Sequence, residues 1–204
     1  MSHDTGPAGA GPVRPADLTE RVVGSKTIYK GSYLTFRIDT VERTDGSRAE
    51  REVVGHPGAV AILAIDDHER VLMVRQYRVP AGRILLEIPA GTLDIDPDSG
   101  AIEDPDLAAP RELEEETGYT AKTWRALGKV APNPAIQNNT LHTYLALDAE
   151  HTTTRRPDDG EVLAVETMSL AGVQAMMREG RIEHALVVVA FGHLALELGV
   201  LRRP

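Results

Sequence analysis

The chain has 204 residues, 42% apolar and 26% charged, with 22 Lys and Arg against 31 Asp and Glu and a formal charge of −9. This length allows one domain with a real core, and the acidic excess argues against nonspecific nucleic-acid binding, which needs Lys and Arg against phosphates. Cysteine is absent, so disulfides, thiolate nucleophiles and cysteine metal sites are excluded, while a small phosphorylated substrate stays open because a divalent cation can reverse the local charge.

Met1 to Asp17 is rich in Gly, Pro and Ala and has no apolar export segment, so residues 1–18 read as a disordered tail on a soluble, cytoplasmic protein. Arg21 to Lys30 and Tyr33 to Val41 alternate like strands. Asp45-Gly46 is a hairpin-type turn, and Arg48 to Val54 is the returning strand. Tyr29, Tyr33 and Phe36 could stack on a base, but at strand spacing they read as core. His56 and His142 likewise read as structural. Strands are expected at Ala59 to Ile65, Val71 to Tyr77 and Ile84 to Ile88. A polar loop follows from Gly91 to Asp104, then a helix ending at Gly118, which suits a left-handed cap. Trp124 to Val130, Leu141 to Leu147 and Val162 to Met168 are further strands, and Leu170 to Arg178 and Ile182 to Leu198 are helices. The most apolar late stretch, Ala185 to Val200, contains His193 and Glu197 and is too short to span a bilayer, so no membrane partner is expected. Many strands around one central helix, with helices at the end, give an α+β domain.

The segment that carries chemistry is Arg111-Glu112-Leu113-Glu114-Glu115-Glu116-Thr117-Gly118-Tyr119. On a helix Glu112, Glu115 and Glu116 share one face. Like charges at that spacing repel by about 0.2–0.5 kcal/mol per pair, and hard cations such as Mg²⁺ seek such oxygen ligands. Arg111, four residues before Glu115, can pair with it and hold it in orientation. Pro110 directly precedes this segment and lacks an N–H, so the helix either begins late or kinks there.

These residues, with Glu103 seven residues upstream, resemble the box of the Nudix hydrolases: a glycine, five residues, Glu, seven residues, then Arg-Glu-apolar-x-Glu-Glu-x-Gly-apolar. The departure is at the first glycine. Position 97 is Pro, and the matching glycine is Gly91, which leaves six extra residues in the loop before Glu103. Loops tolerate such insertion cheaply. From about Glu20 to Leu198 the chain is similar to the branch of ADP-ribose pyrophosphatases and nucleoside-diphosphate-sugar hydrolases. The markers are Arg51-Glu52-Val53-Val54, Gly58-Ala59-Val60-Ala61-Ile62, Arg75-Gln76-Tyr77-Arg78 and Leu86-Glu87-Ile88-Pro89-Ala90-Gly91.

The resemblance implies a Nudix fold, a mixed β-sheet sandwiched between helices. It divides the chain into an N-terminal β extension at 19–57 that builds a homodimer and a catalytic domain at 58–204. Mg²⁺, or Mn²⁺, would be held by Glu112, Glu115, Glu116 and the Ala90 carbonyl. Arg78 and Glu87 would lie by the substrate and metals, with Arg51 as a further substrate contact. Asn138 belongs to an Asn- and Pro-rich segment at 131–139, where amides could bind sugar hydroxyls or simply form turns. Glu161, and after it Asp159, is the expected general base, in an acidic loop that also reads as a solvated turn. The implied reaction is hydrolysis of a nucleoside diphosphate sugar to a nucleoside monophosphate and a sugar phosphate. A noncatalytic nucleotide-binding regulator would carry a degraded box and a DNA-binding domain. A nucleoside triphosphate pyrophosphohydrolase would lack the N-terminal extension. A Nudix-type isopentenyl diphosphate isomerase would need a cysteine.

Overall fold

A computed structural model describes residues 14–156 and 162–199, and the chain divides after Gly55 into two compact units. Of the segment expected as a tail, the described part carries a single 3-10 turn at Pro15–Leu18, closed by Asp17 accepting from the Arg14 backbone and guanidinium. The first unit is then an antiparallel meander of β1 (Glu20–Lys30), β2 (Thr35–Arg43) and β3 (Arg48–Gly55). Gly46, at φ 81°, makes the β2–β3 turn, with Asp45 accepting from the Ser47 N–H at 2.8 Å. A three-stranded sheet with no second layer of its own can bury little. Val41 and Asp39 are buried, whereas Tyr29 and Tyr33 are exposed and Phe36 is half-buried, which corrects the expectation that these rings form core.

The second unit is built on an eight-stranded sheet. Its strands are β4 (Ala59–Asp66), β5 (Arg70–Arg78), β6 (Arg83–Glu87), β7 (Ala90–Thr92), β8 (Tyr119–Thr120), β9 (Thr123–Val130), β10 (Leu141–His151) and β11 (Leu163–Ser169). The spatial order is β11-β5-β4-β10-β8, with β6 added on β5, β7 on β4 and β9 on β10. β4 and β10 run parallel and the other ladders are antiparallel, so the sheet is mixed. The short strand β7 overlaps the start of the segment that composition suggested was loop, at Gly91 and Thr92.

β4 lies at the centre of this sheet and is apolar on both faces, as a strand covered on both sides must be. Ala61 and Leu63 pack with Val173 of α2 (Leu170–Arg178) and with Val187, Ala190 and Phe191 of α3 (Ala185–Glu197). Val60, Ile62 and Ala64 pack with Ala108, Ala109 and Leu113 of α1 (Pro105–Thr117). Helices therefore cover both faces. No described helix is long and apolar enough to cross a membrane.

The start of α1 is an unexpected feature. The helix does not wait for Pro110 but begins five residues earlier and runs through it. Pro105 opens it at a position where a missing N–H costs nothing, and the Asp104 side chain caps it by accepting from the Asp106 N–H at 3.0 Å. Pro110 leaves only the Asp106 carbonyl without its helical donor. Asp106 is itself tied to the sheet, accepting from the Tyr144 hydroxyl at 2.5 Å. At the other end Gly118, at φ 74°, closes the helix by donating to the Glu114 carbonyl, as its position suggested.

Leu113 is fully buried under α1 while Leu107 on the same helix is 68% exposed. Leu113→Ala is therefore expected to lower the unfolding free energy by about 2–5 kcal/mol, and Leu107→Ala to stay within about 0.5 kcal/mol of the parent. Urea titrations of the two variants check this.

Candidate active site

The site is built on the face of α1 that meets β7. Gly91, in the middle of β7, pairs with Val60 of β4 and lies directly beneath the Glu112 carboxylate. A methyl group built on Gly91 would fall 1.9 Å from the Glu112 carboxyl carbon, so only glycine leaves room for this approach. One residue earlier, the Ala90 N–H donates to Glu116 Oε2 at 3.1 Å, and Glu116 is buried. The Pro89 carbonyl accepts from the Ile62 N–H at 2.8 Å, which fixes this stretch against the central strand.

Arg111 stands in the middle of the carboxylates. Its Nε and Nη2 donate to the two oxygens of Glu103 at 3.0 and 2.7 Å, and its Nη1 donates to Glu115 at 2.8 Å and lies 3.0 Å from Glu112. The sequence suggested the pair with Glu115; the bidentate grip on Glu103 was not foreseen. The six extra residues of the loop precede Glu103 and fold on themselves. Ile95 and Ile102 pair as an antiparallel bridge, the Asp96 N–H donates to the Ala101 carbonyl and the Glu103 N–H to the Asp94 carbonyl, each at 2.9 Å. The insertion is thus a small hairpin that leaves the main path and returns to it, delivering Glu103 beside Arg111.

Glu103, Glu112, Glu115 and Glu116 together carry four negative charges against one guanidinium, a set of hard oxygen donors that fits a divalent cation. As they stand, no three His, Asp or Glu side chains among the described residues are grouped to grip an ion. Arg111 draws Glu112 and Glu115 towards itself, and the Ala90 N–H holds Glu116.

With this geometry in view, residues 55–188 match the NUDIX domain and residues 20–54 match the nucleoside diphosphate sugar hydrolase N-terminal domain. The chain belongs to the Nudix family. It is 33% identical over 181 residues to the ADP-ribose pyrophosphatase of Bacillus subtilis (strain 168), covering 88% of this chain and 95% of that protein. It is 34% identical over 179 residues to the methanol dehydrogenase activator of Bacillus methanolicus, covering 87% and 94%. A crystal structure of an ADP compounds hydrolase superposes with a TM-score of 0.72 over 88% of this chain and 94% of that one, at 23% identity, which supports the fold.

Around the Nudix helix the other expected residues fall into distinct places. Arg78, at the end of β5, and Glu87, at the end of β6, form a bidentate pair at 2.9 and 2.7 Å, with Glu87 fully buried. Asn138 uses its Oδ1 to accept from the His56 N–H at 3.1 Å, tethering the entry to β4, and His56 Nδ1 accepts from the Gly58 N–H. Arg51 lies on β3 of the first unit, where Glu20 accepts from its Nε at 3.0 Å and its Nη2 at 2.5 Å. Glu161 and Asp159 lie outside the described residues. The chain on either side of them is well held: the Arg156 N–H donates to the Glu115 carbonyl of α1 at 2.9 Å, and the Arg155 guanidinium donates to the Leu163 carbonyl at 3.1 Å. Glu103 was visible as part of the motif but not as a contact of Arg111, and His184, 3.7 Å from Glu87, carried no signal in the sequence.

Two consequences can be measured. The Glu112 carboxylate is the flexible end of a side chain, so Gly91→Ala is expected to fold but to displace Glu112, weakening divalent-metal affinity roughly 10–100-fold in calorimetric titration. The hydrogen bonds from Arg111 hold the Glu103 carboxyl below its ordinary 4.5, against burial, which acts the other way. A depressed folded value means the stabilisation is complete above 4.5 and is lost as pH falls through the lower folded value. Urea midpoints measured from neutral pH to about pH 3 should fall for the parent and flatten for Glu103→Gln.

Proposed function

We propose that the chain hydrolyses the diphosphate bond of a nucleoside diphosphate sugar, ADP-ribose or a related sugar nucleotide, to a nucleoside monophosphate and a sugar phosphate, with Mg²⁺ as the resident cation and Mn²⁺ as a substitute. The observation that carries this reading is the set of three carboxylates around Arg111, with Glu116 held beside them by the Ala90 N–H and Gly91 cleared of a side chain beneath Glu112. The match of residues 20–54 to the nucleoside diphosphate sugar hydrolase N-terminal domain and the likeness to an ADP-ribose pyrophosphatase point to the substrate class.

In this reading Glu112, Glu115, Glu116 and the Ala90 carbonyl hold the cation. When bound, it would neutralise the diphosphate and the charge that develops on transfer. The chain's own groups do the rest. Arg78, oriented by Glu87, contacts a diphosphate oxygen. Glu161, or failing it Asp159, takes a proton from water as the water oxygen attacks one phosphorus, and the bond from that phosphorus to the bridging oxygen breaks. Arg111 keeps Glu115 in place through the step. Arg51 and Asn138 contact the nucleotide and the sugar. The same reading makes the chain a cytoplasmic homodimer through residues 19–57, a role supported by the exposed apolar side chains Val22, Ile28 and Tyr29 on β1.

Purified protein incubated with Mg²⁺ and, separately, ADP-ribose, GDP-mannose and UDP-glucose is expected to release a nucleoside monophosphate from at least one of them. A chelator should abolish the release and Glu116→Gln should lower it by roughly 10²-fold or more. Release of pyrophosphate from nucleoside triphosphates, with no cleavage of the three sugar nucleotides, would overturn the assignment.

A further inference from the structure

Glu87 is 2% exposed, the most deeply buried carboxylate among the described residues of the second unit, and Arg78 donates to both of its oxygens. A carboxylate accepts at about four lone-pair positions, and a buried charge with unfilled positions is costly. His184 also approaches Glu87: its Nδ1 lies 3.7 Å from Oε2, the oxygen that accepts from Arg78 Nη2 and has a second lone pair to offer.

His184 stands at the N-cap of α3, yet its side chain makes no capping hydrogen bond. The ring turns inward instead. Its Nδ1 is buried and makes no hydrogen bond, and the separation from Glu87 closes to hydrogen-bond length with a movement of under about 1 Å. The start of α3 is kept beside β6 by a second pair, Arg83 with Glu183. The charged groups that act on the imidazole are Glu87 from β6 and Arg78 from β5; burial of the ring, with Arg78 acting the same way, outweighs Glu87 and favours the neutral form. A neutral ring carrying its proton on Nδ1 is a donor to Glu87.

We infer that His184 is a positioning residue for Arg78, acting through Glu87: the imidazole donates to the remaining lone pair of Glu87 Oε2 and so holds the Arg78–Glu87 pair in a single arrangement. The last helix is thereby joined to the strands that lead into the Ala90–Gly91 segment. The functional consequence rests on the reading of Arg78 as a diphosphate contact.

The test uses the full chain with His184→Ala, His184→Asn and His184→Gln. Asn keeps a good helix cap but is too short to reach Glu87, whereas the longer Gln can donate to it. The first readout needs no substrate: hydrogen exchange of the Arg78 Nε–H, followed by NMR. Exchange is expected to speed up severalfold in the Ala and Asn variants and to return towards the parent rate in Gln. The second readout is turnover of the sugar nucleotide that the parent cleaves, with KM expected to rise roughly tenfold in Ala and Asn, kcat within about twofold of the parent, and Gln rescuing KM. Parent-like exchange in both Ala and Asn would overturn the inference, as would a loss confined to kcat. Faster exchange in a protein whose parent cleaves no sugar nucleotide would confirm the link from His184 to Arg78 and overturn the diphosphate reading instead.

Discussion

The second unit depends on a single electrostatic arrangement. Four carboxylates are brought to one end of a sheet, and one guanidinium, Arg111, stands between three of them. Glu112, Glu115 and Glu116 repel one another on the helix face, so α1 carries a local penalty that the rest of the unit has to offset. Arg111 supplies part of the compensation and its own protonated form is reinforced in return, the hydrogen bonds it donates to Glu103 being the largest cause. The remaining negative charge is what makes the face attractive to a hard cation.

The apolar packing makes that concentration of charge tolerable. Ala108, Ala109 and Leu113 press α1 onto Val60, Ile62 and Ala64, and the small alanines let the helix come close to the strand. Tyr144 anchors the first turn through Asp106, and Gly118 ends the helix while its carbonyl accepts from the N–H groups of Thr152 and Thr153. Held at both ends and along one face, α1 cannot turn its carboxylates away from β7. The approach of Glu112 to Gly91 and of Glu116 to the Ala90 N–H follows from this register.

The family is settled by the match of the NUDIX domain over residues 55–188, but relatives of nearly equal identity carry different names, an ADP-ribose pyrophosphatase and a methanol dehydrogenase activator. Similarity at this level specifies the metal-and-diphosphate frame more sharply than the group attached to the diphosphate. Arg51, Asn138 and the pair Arg78–Glu87 come from separate segments of the chain, and each makes its own local bonds.

Much of this was legible in the chain because it is local. The strand at 59–66 is a continuous apolar run, α2 is bounded by its own periodicity, and the carboxylates of α1 need only the helical repeat to share a face. What the linear order could not express were the encounters between distant segments. Pro110 argued for a late or kinked helix, yet packing of Ala108 and Ala109 under the sheet outweighs one lost hydrogen bond and the helix starts at Pro105. The aromatic residues of the first unit alternate like core, but a sheet with one layer has nothing to bury them against. Gly91 has its meaning only because Glu112, 21 positions later in the numbering, comes to rest on it, and the bidentate grip of Arg111 on Glu103 appears only once the helix and the loop before it are folded together. The sequence by itself determined which residues carry charge and at what helical spacing. The tertiary structure alone decided which of those charges meet, because contact across a fold depends on how the layers pack, and packing is a property of the whole chain.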